Sequence, residues 1–452
     1  APRGRPVAGG GGMRTGVLAP DFRDTPFWWD AAEPAARGGS LPSHAAVAVV
    51  GGGCAGLSAA LTLARRGLQP VVIDAERIGW GSSSRSGGAV SGGLRMSFGD
   101  LSAAYGEARA RTIVRAAADA LPFLEGLIAR EAIDCGYRRS GRFVAAWTRS
   151  HYDALARRAA LLAEVTGQPA RMIPPENQKE VIGSDRYRGG LLFEAAGTLD
   201  PALFVRGLAD AAEAAGARLV DGVRAKGIDV GENGGHVLDT SKGKLRADAV
   251  LVTAESFLRG PSGASVVPLP VRQAVPAASI LIATEHLGEA LVDRLFPGRR
   301  TISDTQRVLN HFHPSPDGKH ILWGGRVATD GATPVEAVDA LHRAMVRVFP
   351  ALRDVKVTHA WNGDVAPASD VLPHLGISEN IHYAAGAPGS GAAMACWLGH
   401  RAALRLADAD PEGFALTDLA AEDALPPAEP RRSWFLPGLL HRLGERFGRR
   451  SD

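Results

Sequence analysis

The chain has 452 residues, 45% of them hydrophobic and 22% charged, with 51 basic against 48 acidic side chains for a formal charge of +3. At roughly 150 residues per domain, this length holds two or three domains with a large core and excludes both a disordered chain and a small disulfide scaffold. Charge this evenly balanced offers no field for a nucleic-acid partner, and Cys54, Cys135 and Cys396 are too far apart for a zinc or disulfide framework.

No apolar run reaches membrane-spanning length and no secretory signal opens the sequence. With so few, unpaired cysteines, a cytoplasmic location and no metal site are expected. Residues 1–26 are expected to form a disordered or tag-like N-terminus, Gly/Pro-rich ahead of Met13.

The first strong pattern is the apolar run Ala45 to Val50, then Gly51-Gly52-Gly53-Cys54-Ala55-Gly56, then Leu57 to Ala64 at helical spacing. A second apolar run, Val71-Val72-Ile73, ends at Asp74. This predicts one parallel strand–helix–strand unit carrying G-x-G-x-x-G. Gly51 permits the tight turn, Gly53 lets a pyrophosphate approach the backbone, and Gly56 lets helix pack on strand. The helix N-terminus then faces the phosphate, and Asp74, about 20 residues on, faces ribose hydroxyls.

Helical periodicity follows around Ala108 to Arg130, where Pro122 is expected to kink or restart the helix, and around His151 to Val165. Another helix opens at Leu199-Asp200-Pro201. Strand-like Arg218-Leu219-Val220 and Ala249 to Val252 return to α/β character. Residues Val275 to Ala328 alternate instead, as a mixed or antiparallel sheet would. Ile381 to Ala385 then enters a second glycine bend, Gly386-Ala387-Pro388-Gly389-Ser390-Gly391, ahead of a helix to Ala407. The expected fold is therefore α/β, a nucleotide-binding domain interrupted by a second domain.

Taken in order, these segments resemble the D-amino-acid-oxidase superfamily of FAD-dependent oxidoreductases, in its amine-oxidising branch. The likeness rests on the Gly51/Gly53/Gly56 turn with Asp74, on Ile78-Gly79-Trp80-Gly81-Ser82-Ser83-Ser84-Arg85-Ser86-Gly87-Gly88, and on Asp370-Val371-Leu372-Pro373-His374-Leu375-Gly376 running into the late bend. It spans about Phe27 to Leu436 and implies a glutathione-reductase-type FAD domain of residues 27–115, 200–265 and 355–410. An α+β substrate domain of residues 116–199 and 266–354 and a C-terminal tail of residues 411–452 complete the expected layout.

For the cofactor, the resemblance implies contacts from Gly51, Gly53, Cys54, Ala55, Gly56, Asp74 and Ala75. It adds Gly81, Ser82, Ser83, Arg85, Ser86, Gly87 and Gly88 in the loop around pyrophosphate and flavin, Val223 at the adenine, and Gly386, Gly389, Ser390 and Gly391 at the pyrimidine edge. The implied reaction is hydride transfer from the carbon beside a neutral amine to flavin N5, giving an imine that hydrolyses. Candidate catalytic positions are Trp361, His313 and Glu255.

Two departures bear on the substrate. Relatives often carry Thr-Asn-Gly-Tyr where this chain has Thr253-Ala254-Glu255-Ser256-Phe257, and an arginine where His313 stands. Histidine cannot make the bidentate carboxylate fork, which favours a substrate without an α-carboxylate. Covalent attachment would need a cysteine or histidine in the Gly79 to Gly88 loop or at Gly363; neither is there, so FAD is expected to be non-covalent. Arg272 is a candidate at the substrate entrance.

Oxygen and another acceptor both stay open for reoxidation. The tail from Trp434, with Leu439, Leu440, Leu443 and Phe447 against Arg442, Arg446, Arg449 and Arg450, suits packing on the enzyme body or contact with an acidic membrane. Two alternatives stand beside an amine or amino-acid oxidase or dehydrogenase. One is a flavoenzyme tailoring an amine-bearing biosynthetic intermediate; the other is a catalytically decayed FAD-binding partner subunit.

Overall fold

The computed structural model describes residues 16–94, 96–231, 235–254, 277–306, 308–325, 333–365, 372–378, 380–386, 391–407 and 415–416. Two sheets dominate them. The first is parallel at its centre: in spatial order Ile381–Ala385, Gly243–Val252, His44–Val50, Pro70–Ile73 and Arg218–Val220. Val47, Ala48, Val49 and Val50 are all buried, as strands covered on both faces must be. The helix Cys54–Arg65 crosses from His44–Val50 to Pro70–Ile73, which completes the expected unit. The late helix Gly391–Leu406 packs on it so closely that a Cβ at Gly399 would lie 2.0 Å from the Ala55 carbonyl oxygen.

The second sheet has nine strands. Its spatial order is Leu18–Arg23, Val357–Val365, Ala277–Thr284, Ile321–Gly325, Asn310–Pro314, Thr301–Asp304, Arg142–Ala145, Gly190–Phe193 and Ala170–Ile173. Its pairs are mostly antiparallel, as the alternation after Val275 predicted.

Strand alternation sorts this sheet into two faces. Phe143, Ile280, Ile282, Ile302, Phe312 and Trp323 join Val338, Leu341 and Met345 of the helix Pro334–Val348 in one core. The neighbours in register, Leu281, His311, His313, Gly324, Trp361 and Gly363, point the other way, toward the Gly81 to Gly88 loop.

Three boundaries differ from expectation. Leu18–Arg23, placed with the tag-like N-terminus, is an edge strand parallel to Val357–Val365. Val357–Val365, assigned to the FAD domain, lies in the second sheet because it pairs along its length with Ala277–Thr284. The substrate domain was expected from residue 116, yet Ala117, Leu121, Leu124 and Leu127 share one core with Leu57, Leu61 and Cys396. The helix does restart near Pro122: Glu107–Ala118 and Ala120–Arg130 are separate helices meeting at Asp119.

Candidate cofactor and active site

The Gly51 to Gly56 turn is shaped by missing side chains. Gly51 has φ +110°, a conformation L residues rarely adopt. A Cβ on Gly56 would stand 1.9 Å from the Gly51 carbonyl oxygen, and one on Gly53 2.7 Å from Ser83 Oγ. Thr253 closes the turn from below, its hydroxyl 3.1 Å from the carbonyl oxygens of both Val50 and Gly51. Gly53 caps the helix without a side chain, and no acidic residue enters the first turn. Leu57 donates the first helical bond, to Gly53, which leaves the N–H groups of Ala55 and Gly56 ahead of the ladder. The Cys54 N–H donates to Ser83 Oγ at 3.0 Å. Uncapped donors at the positive end of a helix, with no acid in its first turn, fit a phosphate.

Asp74 stands at the end of the neighbouring strand. One carboxylate oxygen accepts the Gly52 N–H at 2.8 Å and the other accepts the Glu76 N–H at 2.9 Å, so the side chain is locked against the turn. Burial raises its pKa, and these two donors oppose that. Val223 is buried, and its N–H donates to the Asp74 carbonyl at 2.7 Å; only its carbonyl is left for an adenine. Ala75 is half-buried beside Asp74. A groove of about 320 Å³ between Arg65, Phe123, Arg130 and His400 lies at the far end of the helix Cys54–Arg65, remote from this turn.

The Gly81 to Gly88 loop is held by side chains from elsewhere. Gly81 precedes the single helical turn Ser82–Arg85, where Ser82 O accepts the Ser86 N–H at 3.0 Å. The Arg85 guanidinium lies between two indoles, 4.5 Å from the Trp29 ring centre and 4.1 Å from that of Trp80. Beyond it, three successive carbonyls each take a ring N–H. Trp361 donates to Arg85 O at 2.8 Å, Trp28 to Ser86 O at 2.8 Å, and His313 Nε2 to Gly87 O. Gly88, at φ +76°, has no room for a side chain, because a Cβ would sit 2.5 Å from the Leu199 carbonyl oxygen.

Trp361 and His313 are thus buried against the loop, 1% and 3% exposed. Burial lowers the His313 pKa, and its two carbonyl partners oppose that. His311, two residues earlier on the same strand face, was not expected as a site residue. Its ring approaches Gly87 and lies 3.3 Å from Ser279 Oγ. Burial first, then His313 and Arg142, push its pKa down to about 4, so it is neutral at neutral pH.

At the late bend, Gly386 has φ +75° and a Cβ there would lie 2.2 Å from the Leu372 carbonyl oxygen; Gly391, at φ +57°, opens the final helix beside Ala89. Gly389, Ser390, Glu255, Arg272 and residues 417–452 of the C-terminal tail lie outside the described residues. Trp28 and Thr253 were not foreseen as site residues. The aromatic run Phe27-Trp28-Trp29 was the one local signal for the first.

Residues 46–405 match the family described as DAO, FAD dependent oxidoreductase. The chain belongs to this family. It is 29% identical over 346 residues to gamma-glutamylputrescine oxidoreductase of Escherichia coli, covering 76% of this chain and 79% of that protein. It is 30% identical over 328 residues to the probable oxidoreductase OrdL of Rhizobium meliloti, covering 71% and 72%.

Among solved structures, L-proline dehydrogenase from P. horikoshii superposes with a TM-score of 0.68 at 20% identity, over 82% of this chain and 96% of that one. Glycine oxidase from Geobacillus kaustophilus gives 0.65 at 21%, over 82% and 95%. These two confirm the α/β fold with its multi-stranded sheets. As a member of the family the chain is an FAD-dependent oxidoreductase, and no helix of the described residues is long and apolar enough to cross a membrane.

Proposed function

We propose that this chain oxidises the C–N bond of a small primary or secondary amine, with FAD held non-covalently between the Gly51 to Gly56 turn, the Gly81 to Gly88 loop and the late bend from Gly386. When bound, the cofactor supplies the hydride acceptor, and the imine product then hydrolyses in water. Ala55 and Gly56 bind phosphate through their N–H groups, and Asp74 takes the ribose. The loop carries no cysteine or histidine for a covalent link. The substrate reading is supported by the family relatives, whose names include gamma-glutamylputrescine oxidoreductase and glycine oxidase. Three free, buried cysteines agree with a reducing, cytoplasmic setting.

The observation that carries the choice of an amine is the sheet face opposite the loop. Beside Gly87 it presents the neutral imidazole of His311 and the Ser279 hydroxyl, and His313, where relatives often carry an arginine, is turned onto the Gly87 carbonyl. A neutral imidazole and a hydroxyl beside Gly87 offer no anion to hold an ammonium, which favours the unprotonated amine that can give up a hydride. Arg142 lies on the same sheet two strands beyond His311, its guanidinium 3.0 Å from Ser303 Oγ. That cation favours a second reading, an amine whose carboxylate is remote from the reacting carbon.

Anaerobic mixing of the yellow protein with a panel of neutral amines, amino acids and carboxylate-bearing amines tests this. Bleaching by amines lacking an α-carboxylate is expected. Bleaching by α-amino acids alone would overturn the substrate class, and a flavin reduced by dithionite but by no amine would mark a decayed scaffold.

A further inference from the structure

We infer that Trp28, His313 and Trp361 are positioning residues that fix the peptide units of the flavin loop from outside, so that the loop presents the Gly87 N–H as a rigid donor. This rests on the reading that the loop lines FAD.

The three donors come from three places: the segment leading into the helix Trp29–Ala32, the strand Asn310–Pro314 and the strand Val357–Val365. They reach consecutive carbonyls across 58, 226 and 276 positions of sequence. All three rings are buried, 1%, 3% and 1% exposed, so each bond is made from the protein interior to a half-buried loop carbonyl.

A peptide unit is planar, with its C=O and N–H pointing in opposite directions. Each carbonyl fixed outward therefore fixes the next residue's N–H the other way. The Ser86 N–H donates to Ser82 O, and the Gly88 N–H reaches Ser86 Oγ only at 3.5 Å. Among the described residues, the Gly87 N–H has no acceptor. It is the donor that Trp28 aims by holding Ser86 O, and His313 holds the far side of the same residue.

Histidine adds a constraint that tryptophan does not. Nδ1 of His313 lies 2.8 Å from the Pro314 carbonyl oxygen while Nε2 meets Gly87 O. A neutral ring has one N–H for these two carbonyls, and the clamp assigns it to Nε2 and Gly87 O. Glutamine can place a donor where Nε2 stands, whereas the shorter asparagine reaches only the Nδ1 position.

The experiment compares His313→Gln with His313→Asn by titrating each apoprotein with FAD and measuring the flavin's two-electron midpoint potential, with apoprotein melting as the control for folding. The glutamine variant is expected within about twofold of wild-type FAD affinity. The asparagine variant should be about tenfold weaker, as for a buried carbonyl left without its donor. If reduced FAD loses about tenfold more affinity than oxidised FAD, the potential falls by about 30 mV. Trp28→Phe should move both quantities in the direction of the asparagine variant, and it carries the test if His313→Asn fails to fold.

Equal FAD affinity in the glutamine and asparagine variants, or wild-type affinity in Trp28→Phe, overturns the inference. No amine enters these titrations. An inert amine panel beside the expected Gln/Asn split defeats only the proposed substrate, and amine-driven bleaching beside equal affinities defeats only the clamp.

Discussion

The two glycine-rich segments around the proposed cofactor are rigid for opposite reasons. The Gly51 to Gly56 turn is shaped chiefly by the side chains it lacks: one positive φ and one close approach of helix to carbonyl, closed by the Thr253 hydroxyl just past the adjacent strand. The Gly81 to Gly88 loop has a single helical turn of its own and otherwise depends on buried rings from distant parts of the chain. A turn that needs absent side chains is sensitive to any added atom, whereas a loop held from outside is sensitive to its holders. Substitutions in the two segments should therefore fail differently.

The largest effect is expected at Gly56. A Cβ 1.9 Å from a backbone oxygen cannot be relieved by a rotamer change, so Gly56→Val should cost about 3 kcal/mol or more and lower the melting temperature even without FAD. Gly53→Ala sharpens the contrast, because the added methyl meets only the Ser83 hydroxyl at 2.7 Å. That apoprotein should fold while losing FAD, and wild-type FAD affinity in it would break the proposed phosphate approach.

Asp74→Asn comes next. Both carboxylate oxygens accept backbone N–H groups, and an amide must turn its NH₂ toward one of them. FAD affinity should fall about tenfold or more in an apoprotein titration, and the apoprotein's melting temperature should fall with it, by the cost of one backbone N–H left without its acceptor.

The smallest effect belongs to Asp200, which caps the helix Pro201–Ala214 through the N–H groups of Ala202 and Leu203 and carries a pKa raised by burial to about 6. A carboxyl whose pKa is higher in the folded state binds more protons folded than unfolded between about pH 4 and 6. Its contribution is present below that window and is lost as pH rises through it. Asp200→Asn keeps a cap without the charge, so it should stay within about 1 kcal/mol of wild type at pH 7 and remove that slope from denaturant melts. An unchanged slope would contradict the buried-carboxyl assignment.

This contrast also decides what the sequence made legible. The first turn could be read residue by residue, because its requirements lie within six consecutive positions and a strand end at Asp74, and the structure has a strand, a positive-φ glycine and a helix over those positions with Asp74 bonded to the turn. The Gly81 to Gly88 loop could be recognised from the family resemblance, but its holders could not. Nothing local in Trp28, His313 or Trp361 says which carbonyl it will meet, since that depends on strand register in the second sheet for His313 and Trp361 and on how the segment before Trp29–Ala32 packs for Trp28. Leu18–Arg23 escaped for the same reason. Its short, partly polar sequence carries no strand pattern of its own and is ordered by pairing with Val357–Val365. His311 escaped because neighbouring histidines on one strand face cannot be ranked until one of them is seen bonded to the loop.

The central claim, that FAD lies non-covalently across both glycine segments, is tested most directly by acid precipitation of the purified protein followed by FAD titration of its apoprotein. The account predicts a yellow protein, release of the flavin into the supernatant as intact FAD, and rebinding of one FAD per chain that Gly53→Ala abolishes. A colourless protein that cannot be reconstituted, or a flavin that stays with the precipitate, would contradict it.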